Sequence, residues 1–326
     1  MRKVLVAIFL LLLISPLVAM FYLRFFLPDV EVPHVEVEIT PERIQHGKYL
    51  ANHVTVCMDC HSTRDWSRFS GPVEVGSDGM GGQRFGREEG FPGIFYSKNI
   101  TPYSLEHWSD GEIFRAITSG VDKDGKALFP VMPYPYYGSM DPEDVYDIIA
   151  YLRSLDPIEN EIKSRVIDFP MAFLVNTIPE KPKFSKKPAP TDTVAYGGYL
   201  VKIAACMECH TPVKNGQVIP EKAFSGGREF IMPNGKLQSS NITSDSLTGI
   251  GSWTEEAFVA RFKDYYKPLR EVEVMPEGAI NSIMPWTMYG GMDSSDLVAI
   301  YRYLRTIQPI HKEVIQYTKT KKKGKG

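Results

Sequence analysis

Two short segments of the chain place thiol and imidazole side chains in the same order. Each is a Cys-x-x-Cys-His pentad, at residues 57–61 and 206–210, and together they use all four cysteines of the 326 residues. Two thiols on one helical turn suit covalent attachment to the vinyl groups of a haem, and the adjacent imidazole reaches the iron. The pentads therefore predict two c-type haems, bound through Cys57, Cys60, His61, Cys206, Cys209 and His210.

Two other kinds of site use paired cysteines. A thioredoxin-like redox pair needs a strand–helix context, which the sequence around the pentads lacks. A zinc site would join both pentads in one module, whereas Cys57 and Cys206 stand 149 positions apart. Haem attachment is therefore the favoured interpretation.

The sixth iron ligand has more candidates, because the chain has 13 Met residues. Met132 and Met284 are chosen because each is followed by Pro and stands 19 positions before the Tyr of a Tyr-Leu-Arg segment that occurs in both copies. A Met more often fills a gap in a core, but repetition in a Pro-flanked loop favours ligation. Met140, Met288 and Met292 are the alternatives. The predicted iron ligands are His61, Met132, His210 and Met284.

These ligands lie in two copies of a longer unit. The order of the matching segments is kept and only the loop lengths differ, which indicates an internal duplication. The matching pairs are Tyr49-Leu50 with Tyr199-Leu200, Asn99-Ile100-Thr101 with Asn241-Ile242-Thr243, Trp108 with Trp253, and Tyr151-Leu152-Arg153 with Tyr303-Leu304-Arg305.

Each copy reads as three helices joined by long loops. Thr40-Pro41, the Ser109–Glu112 capping box and Asp141-Pro142 predict helix starts in the first copy, and Thr254 predicts one in the second. The loop at 71–102 is rich in Gly and Pro and is predicted to be irregular. The last helix of each copy has a 3.6-residue apolar period, with Val145, Ile148, Ile149 and Leu152 in one and Leu297, Ile300, Tyr301 and Leu304 in the other. The expected fold is all-α, with haem completing each small core.

The amino-terminal segment is predicted to be a membrane anchor. Residues 4–23 carry no charge and lie between Lys3 and Arg24. At about 1.5 Å per residue this segment spans a bilayer core of about 30 Å, and it is longer than the roughly 7–15 apolar residues of a cleaved signal. We expect an uncleaved single-pass anchor with the haem domains on the periplasmic side of the cell membrane. A cleaved signal peptide is the alternative.

The predicted organisation is an anchor at 1–28, a cytochrome domain at 38–158, a Pro-containing linker at 159–190, a second domain at 191–310 and a basic tail at 311–326. The formal charge is −2, but the positive charges concentrate at the two ends and leave the body acidic. An acidic body does not favour nucleic acid as a partner. The expected partners are membrane lipid at the amino terminus and redox proteins elsewhere.

The sequence resembles the cytochrome c subunits of membrane-bound bacterial alcohol and aldehyde dehydrogenases, and related class I diheme cytochromes. The resemblance rests on the pentads, the Asn-Ile-Thr segments, the Met-Pro-Tyr and Met-Pro-Trp segments, Gly198-Tyr199-Leu200, Ser225-Gly226-Gly227 and Thr248-Gly249-Ile250-Gly251 before Trp253. The resemblance covers about residues 40–158 and 191–308, and it implies two tandem class I cytochrome c domains after the predicted anchor, with the pentad His and loop Met on each iron. It also implies single-electron transfer between a dehydrogenase or respiratory donor and a terminal acceptor, such as an oxidase or a small cytochrome. The dehydrogenase subunits commonly carry three haems, whereas this chain has two pentads.

An enzymatic function is the alternative to a carrier. A peroxidase-like diheme cytochrome needs a displaceable axial ligand, whereas two irons with both axial positions filled offer no place for a substrate. We therefore expect an electron-transfer protein rather than an enzyme. Arg84, Arg87 and Arg228 lie in the Gly-rich loops and are candidates to face haem carboxylates.

Overall fold

The computed structural model describes residues 1–214 and 216–319, and in these residues the chain is mainly helical. The helices are α1 (Arg2–Phe25), α2 (Pro41–Tyr49), α3 (Cys57–His61), α4 (Pro102–Leu105), α5 (Asp110–Ser119), α6 (Tyr134–Tyr137), α7 (Pro142–Ser154), α8 (Met171–Leu174), α9 (Thr193–Ile203), α10 (Cys206–His210), α11 (Glu255–Lys263), α12 (Trp286–Tyr289) and α13 (Ser294–Leu304). A π-helical turn, Leu50–Val54, continues α2.

Small antiparallel sheets accompany the helices, so the expectation of an all-α fold is confirmed only in part. The strands are β1 (Arg84–Phe85), β2 (Gly93–Tyr96), β3 (Val166–Ile167), β4 (Val213–Lys214), β5 (Gln217–Val218), β6 (Glu229–Met232), β7 (Gly235–Gln238) and β8 (Tyr317–Lys319). Within the described residues they form the sheets β1-β2-β3, β4-β5 and β6-β7-β8. The loop predicted to be irregular thus contains β1 and β2. Alternating apolar residues were too few there for the strands to be recognised from the sequence.

The predicted helix starts are present. The Ser109 hydroxyl accepts a hydrogen bond from the Glu112 amide at 3.2 Å, and the Ser109 amide donates to the Glu112 carboxylate at 2.7 Å. The Asp141 carboxylate accepts from the Glu143 amide at 3.1 Å, which caps α7. These bonds satisfy amides that have no partner within the helix, and they fix where α5 and α7 begin.

Two close helix pairs build the core. In the first half α2 packs on α7, and in the second α9 packs on α13. A Cβ atom at Gly47 would lie 1.8 Å from the carbonyl oxygen of Asp147, and one at Gly197 would lie 1.9 Å from that of Ala299. Glycine is therefore the only residue that permits these helices to approach so closely.

The predicted apolar faces are buried on the last helix of each half. Val145, Ile148, Ile149 and Leu152 of α7 are between 0% and 4% exposed. Leu297, Ile300 and Leu304 of α13 are equally buried, whereas Tyr301 is half-buried. Its hydroxyl donates to the carbonyl of Trp253 at 2.6 Å, so the ring lies at the edge of the core with its polar tip bonded.

The two halves exchange matching hydrogen bonds. The Tyr49 hydroxyl donates to the Asp296 carboxylate at 2.6 Å, and the Tyr199 hydroxyl donates to the Asp144 carboxylate at 2.6 Å. Each bond joins the first helix of one half to the last helix of the other. In addition, α6 contacts α9, and α12 contacts the π-helical turn. The halves therefore meet through equivalent surfaces related by an approximate two-fold axis.

The segments outside the two helical cores are partly structured. Helix α1 is long and apolar enough to cross a membrane: an 18-residue stretch of it has a mean hydropathy of 3.0, and none of its residues is buried. The predicted extended linker contains β3, which pairs with β2, and α8. In the basic tail, β8 pairs with β7. The lysines at 321–325 lie outside the described residues.

Candidate haem-binding sites

Each pentad forms a single helical turn, α3 or α10, entered through a left-handed residue. Val56 has φ 45° and Ala205 has φ 52°, a conformation that costs energy for a residue with a Cβ and especially for a β-branched one. The same strained entry in both copies indicates that the pentad geometry requires it. After each pentad, a glycine amide donates to the pentad histidine carbonyl at 2.8 Å, from Gly81 to His61 and from Gly226 to His210.

Both pentad imidazoles are held in one tautomer. His61 Nδ1 lies 2.7 Å from the carbonyl oxygen of Lys98, and His210 Nδ1 lies 2.8 Å from that of Ser240. A carbonyl oxygen can only accept, so Nδ1 carries the proton and Nε2 has a free lone pair. Burial lowers the pKa of both imidazoles below the usual 6.5, so both are neutral at pH 7. A neutral imidazole oriented by its second nitrogen is prepared to bind a metal through Nε2.

A cavity of about 640 Å³ lies in the first half. Cys57, Cys60, His61 and Met132 all line it, together with apolar side chains such as Leu105 and Trp108. Its volume falls within the range of about 300–1,000 Å³ typical of cofactor sites. Two thiols, an imidazole and a thioether on one apolar cavity match the donor set of a His/Met c-type haem. The residues present therefore fit a haem.

Burial distinguishes the candidate ligand from a second Met that is also repeated in the two halves. Met140 and Met292 also occupy equivalent places in the repeat, but they are 0% and 2% exposed in the helical core. Met132 lines the cavity and Met140 does not. This separates the candidate ligand from the core Met in the first half.

The thiols lack the lowered pKa of a redox pair. Burial raises the pKa of the Cys60 thiol and of the Cys206 thiol to about 12 each. A disulfide exchange site needs a lowered thiol pKa, because the thiolate is the reactive form. All four cysteines are free of disulfides. The structure thus disfavours the thioredoxin-like alternative.

A tyrosine links each Met loop to its pentad. The Tyr137 hydroxyl donates to the carbonyl of Thr55 at 2.9 Å, and the Tyr289 hydroxyl donates to that of Ala204 at 3.0 Å. In both copies the acceptor stands two residues before the first pentad cysteine. Met284 is half-buried on the second of these loops. Its assignment as an iron ligand rests on this arrangement, which is the same in both halves.

The repeated Asn-Ile-Thr segments are structural. The Asn99 carboxamide oxygen accepts from the Thr101 amide at 2.9 Å and hydroxyl at 2.7 Å, and its nitrogen donates to the Ile158 carbonyl at 2.8 Å. Asn241 makes the equivalent bonds with Thr243 and Ile310. Both asparagines are under 5% exposed, so they do not serve as glycosylation acceptors. They fasten the segment that follows each last helix beside the carbonyl that orients the pentad histidine.

Two cations at the first cavity were not expected from the sequence. Lys98 and Arg165 line the cavity, and Arg165 donates to the carbonyl of Ala127 at 2.5 Å. Among the described residues neither forms an ion pair. Burial, with a smaller contribution from the neighbouring cation, lowers the pKa of Lys98, and burial lowers that of Arg165. The Asp122 carboxylate also lines the cavity and acts on both cations, but it forms an ion pair with neither of them. The two cations can therefore hold a further anionic group in the cavity, such as the carboxylates of a haem.

The three arginines suggested by the sequence form ion pairs, and the partner of Arg228 belongs to the second pentad. Arg84, Arg87 and Arg228 pair with Glu88, Asp168 and Glu208, respectively. None of the three lines the described cavity. Repetition could not reveal Arg165, because the equivalent residue in the second half is Tyr317 and that of Lys98 is Ser240.

One further group of side chains has the composition of a metal site. His46, Asp144 and Asp147 bring their polar atoms within 4.8 Å of one another. However, Arg43 pairs with Asp147 at 2.6 Å and Lys187 pairs with Asp144 at 2.5 Å. These cations already neutralise the carboxylates, so the group is an ion-pair network between α2 and α7.

The two pentads lie close to the same interface. Tyr136, four residues after Met132, donates to the carboxylate of Glu208 at 3.1 Å. Glu208 belongs to the second pentad. The Met loop of the first half therefore touches the haem-attachment turn of the second.

Comparison with known proteins identifies relatives among cytochrome subunits. No family model matches the chain. The cytochrome c subunit of the quinone alcohol dehydrogenase of Gluconacetobacter polyoxogenes is 27% identical over 295 residues, covering 84% of this chain and 58% of that protein. The fructose dehydrogenase cytochrome subunit of Gluconobacter japonicus is 28% identical over 284 residues, covering 81% of this chain and 52% of that protein. A diheme cytochrome c-type protein of Cereibacter sphaeroides is 26% identical over 202 residues, covering 59% of this chain and 64% of that protein.

The chain spans between half and three fifths of the length of the two dehydrogenase subunits. The shared name of these relatives implies covalently bound haem c, in agreement with the two pentads. The chain is therefore a homologue of the cytochrome c subunits of bacterial alcohol and fructose dehydrogenases.

Proposed function

We propose that this chain is a membrane-anchored diheme cytochrome c that passes single electrons and performs no substrate chemistry. One haem is attached at Cys57 and Cys60, with His61 and Met132 on its iron. The other is attached at Cys206 and Cys209, with His210 and Met284 on its iron. The cytochrome domains correspond to residues 38–158 and 191–310. The cavity that joins the first pentad to Met132 is the observation that carries this proposal.

Each ligand has a defined role in electron transfer. Haem supplies a one-electron iron couple. His61 is fixed through Nδ1, so its Nε2 lone pair is free and would hold the iron. Met132 would hold the iron through its thioether, a ligand that raises the reduction potential and would leave no open position for a substrate. The apolar lining limits the solvent reorganisation that accompanies a change of charge.

The interface between the halves supports transfer between the two haems. The reciprocal Tyr49–Asp296 and Tyr199–Asp144 bonds hold the halves in one arrangement. The bond from Tyr136 to Glu208 joins the first Met loop to the second pentad. Both haems would therefore be held near one interface, at a separation that does not vary during turnover.

The proposed electron donor is a dehydrogenase subunit, because the relatives are named as cytochrome subunits of dehydrogenases. The proposed acceptor is an oxidase or a small cytochrome of a respiratory chain. Helix α1 is the proposed single-pass anchor. The haem domains would lie on the periplasmic side, where bacteria attach c-type haem.

Spectroelectrochemical titration tests the carrier function. The full chain should show two one-electron haem waves. Arg165 should raise the potential of the first-half haem, because a nearby cation stabilises the reduced, less positive iron. Replacing Arg165 with Gln should lower that potential by on the order of tens of millivolts and leave the other unchanged. Arg84→Gln, which removes an exposed arginine paired with Glu88, is the matched control and should leave both waves in place.

One outcome would contradict the role given to Arg165, and another would contradict the carrier function. Equal shifts of both waves in Arg165→Gln would mean that Arg165 does not act on the first haem in particular. Rapid turnover of hydrogen peroxide by the wild-type chain would favour the peroxidase-like alternative.

A further inference from the structure

The linker between the two halves docks at the end of the anchor helix. Helix α8 and the short helical turn Val175–Thr177 lie against the last turns of α1. Asn176 Nδ2 donates to the carbonyl oxygen of Leu23 at 2.8 Å, so it caps one of the terminal carbonyls of α1. In α1 only Met20 and Leu23 are partly covered, and both lie in these last turns. The anchor and the linker therefore form one structural unit.

This unit exposes large apolar side chains on elements that touch each other. Phe169 is 78% exposed and Leu174 is 43% exposed on the linker, while Phe25 and Phe26 at the end of α1 are 69% and 60% exposed. We call these four residues the anchor-end surface. The residues beneath this surface are packed in place, because Val175 and Asn176 are only 2% and 8% exposed. The apolar side chains thus point outward from a packed base.

The chemistry of the linker segment matches a membrane interface. Residues 169–179 contain no charged side chain. The nearest carboxylate, Asp168, is paired with Arg87 at 2.5 Å. A short amphipathic segment with Phe and Leu on its outer face enters the boundary between lipid headgroups and acyl chains. Its position beside the end of a bilayer-length helix places it at that depth.

We infer that residues 169–174 insert into the surface of the bilayer that α1 spans and hold the first half against the membrane in one orientation. This inference rests on the proposed anchor. Arg165 lines the first cavity and stands four residues before Phe169, a chain length of at most about 14 Å. The first cavity would therefore lie close to the membrane surface.

Photo-crosslinking to lipid tests this contact. The full-length, haem-loaded chain is reconstituted in nanodiscs of phosphatidylethanolamine and phosphatidylglycerol that contain a radiolabelled phospholipid. Benzoylphenylalanine is placed singly at position 169 or at position 174. Matched controls carry it at Val75, which is 91% exposed, and at Leu247, which is 82% exposed. Neither control is part of the anchor-end surface, and all four positions lie outside the haem ligands.

The expected result is severalfold more lipid label on the chain at positions 169 and 174 than at positions 75 and 247. Equal labelling at all four positions, or crosslinks from position 169 only to a second copy of the chain, would overturn the inference. Carbonate washing of native membranes keeps the two proposals distinguishable. If the chain resists carbonate but position 169 shows background labelling, α1 anchors the protein and the linker contact is wrong. If carbonate releases the chain, the anchor is wrong and the linker contact falls with it.

Discussion

The Met132→Ala variant is expected to keep its first haem and to lose the sixth ligand of that iron. The thioether is removed while Cys57, Cys60 and His61 remain. The potential of the first haem should fall by on the order of 0.1–0.3 V, since axial ligands set haem potentials over a range of about 0.8 V. Carbon monoxide should bind the reduced iron. In the oxidised protein, half of the sulfur-to-iron absorbance at about 695 nm should disappear.

The control for this experiment is Met140→Leu. Met140 is fully buried in the core of the same half and occupies a repeated position, but it does not line the cavity. A Met-to-Leu exchange conserves volume and should cost less than about 1.5 kcal/mol of unfolding free energy. The near-infrared band should survive in full. Loss of the band in Met140→Leu, with its retention in Met132→Ala, would show that the ligand assignment is wrong.

The Gly47→Ala variant is expected to be among the most destabilising single changes in the chain. Its new Cβ would lie 1.8 Å from the carbonyl oxygen of Asp147, and a backbone atom in α7 cannot move aside without separating the two helices. We expect a loss of about 3 kcal/mol in the free energy of unfolding. Guanidinium denaturation of the haem-loaded protein, followed by haem absorbance, measures this loss.

Two further variants test whether the Gly47 effect comes from the close approach of the two helices. Gly197→Ala meets the equivalent carbonyl of Ala299 at 1.9 Å and should destabilise the second half to a similar degree. Lys48→Ala changes an exposed residue on the same helix and should alter the unfolding free energy by less than about 0.5 kcal/mol. A midpoint for Gly47→Ala that matches the wild type would mean that α2 and α7 do not cross as closely as described.

The sequence was sufficient for features that depend on local pattern. The pentads, the capping residues and the apolar face of α7 each follow from residue type and spacing over at most two helical turns. Duplication added a second source of information, because an accidental motif does not recur in order. Together with the Pro that follows Met132 and Met284, it reduced the 13 Met residues to this pair, and Met132 lines the cavity.

Features that depend on pairing between distant parts of the chain could not be predicted from the sequence. Strand β3 lies in the linker and gains its hydrogen bonds from β2, more than 70 residues earlier. Arg165 reaches the cavity only because this pairing brings the linker across the first half. The repeat identified Tyr49 and Tyr199 as equivalent residues. It did not show that each bonds to the opposite half.

The number of haems on the mature chain tests the central claim most directly. Mass spectrometry of the intact protein, with mapping of the proteolytic peptides, should find two covalently bound haems, one on the Cys57–His61 peptide and one on the Cys206–His210 peptide. A Cys206→Ala, Cys209→Ala variant should retain only the first. One haem, no haem, or unmodified cysteines on a chain recovered from a host that matures c-type cytochromes would contradict the account.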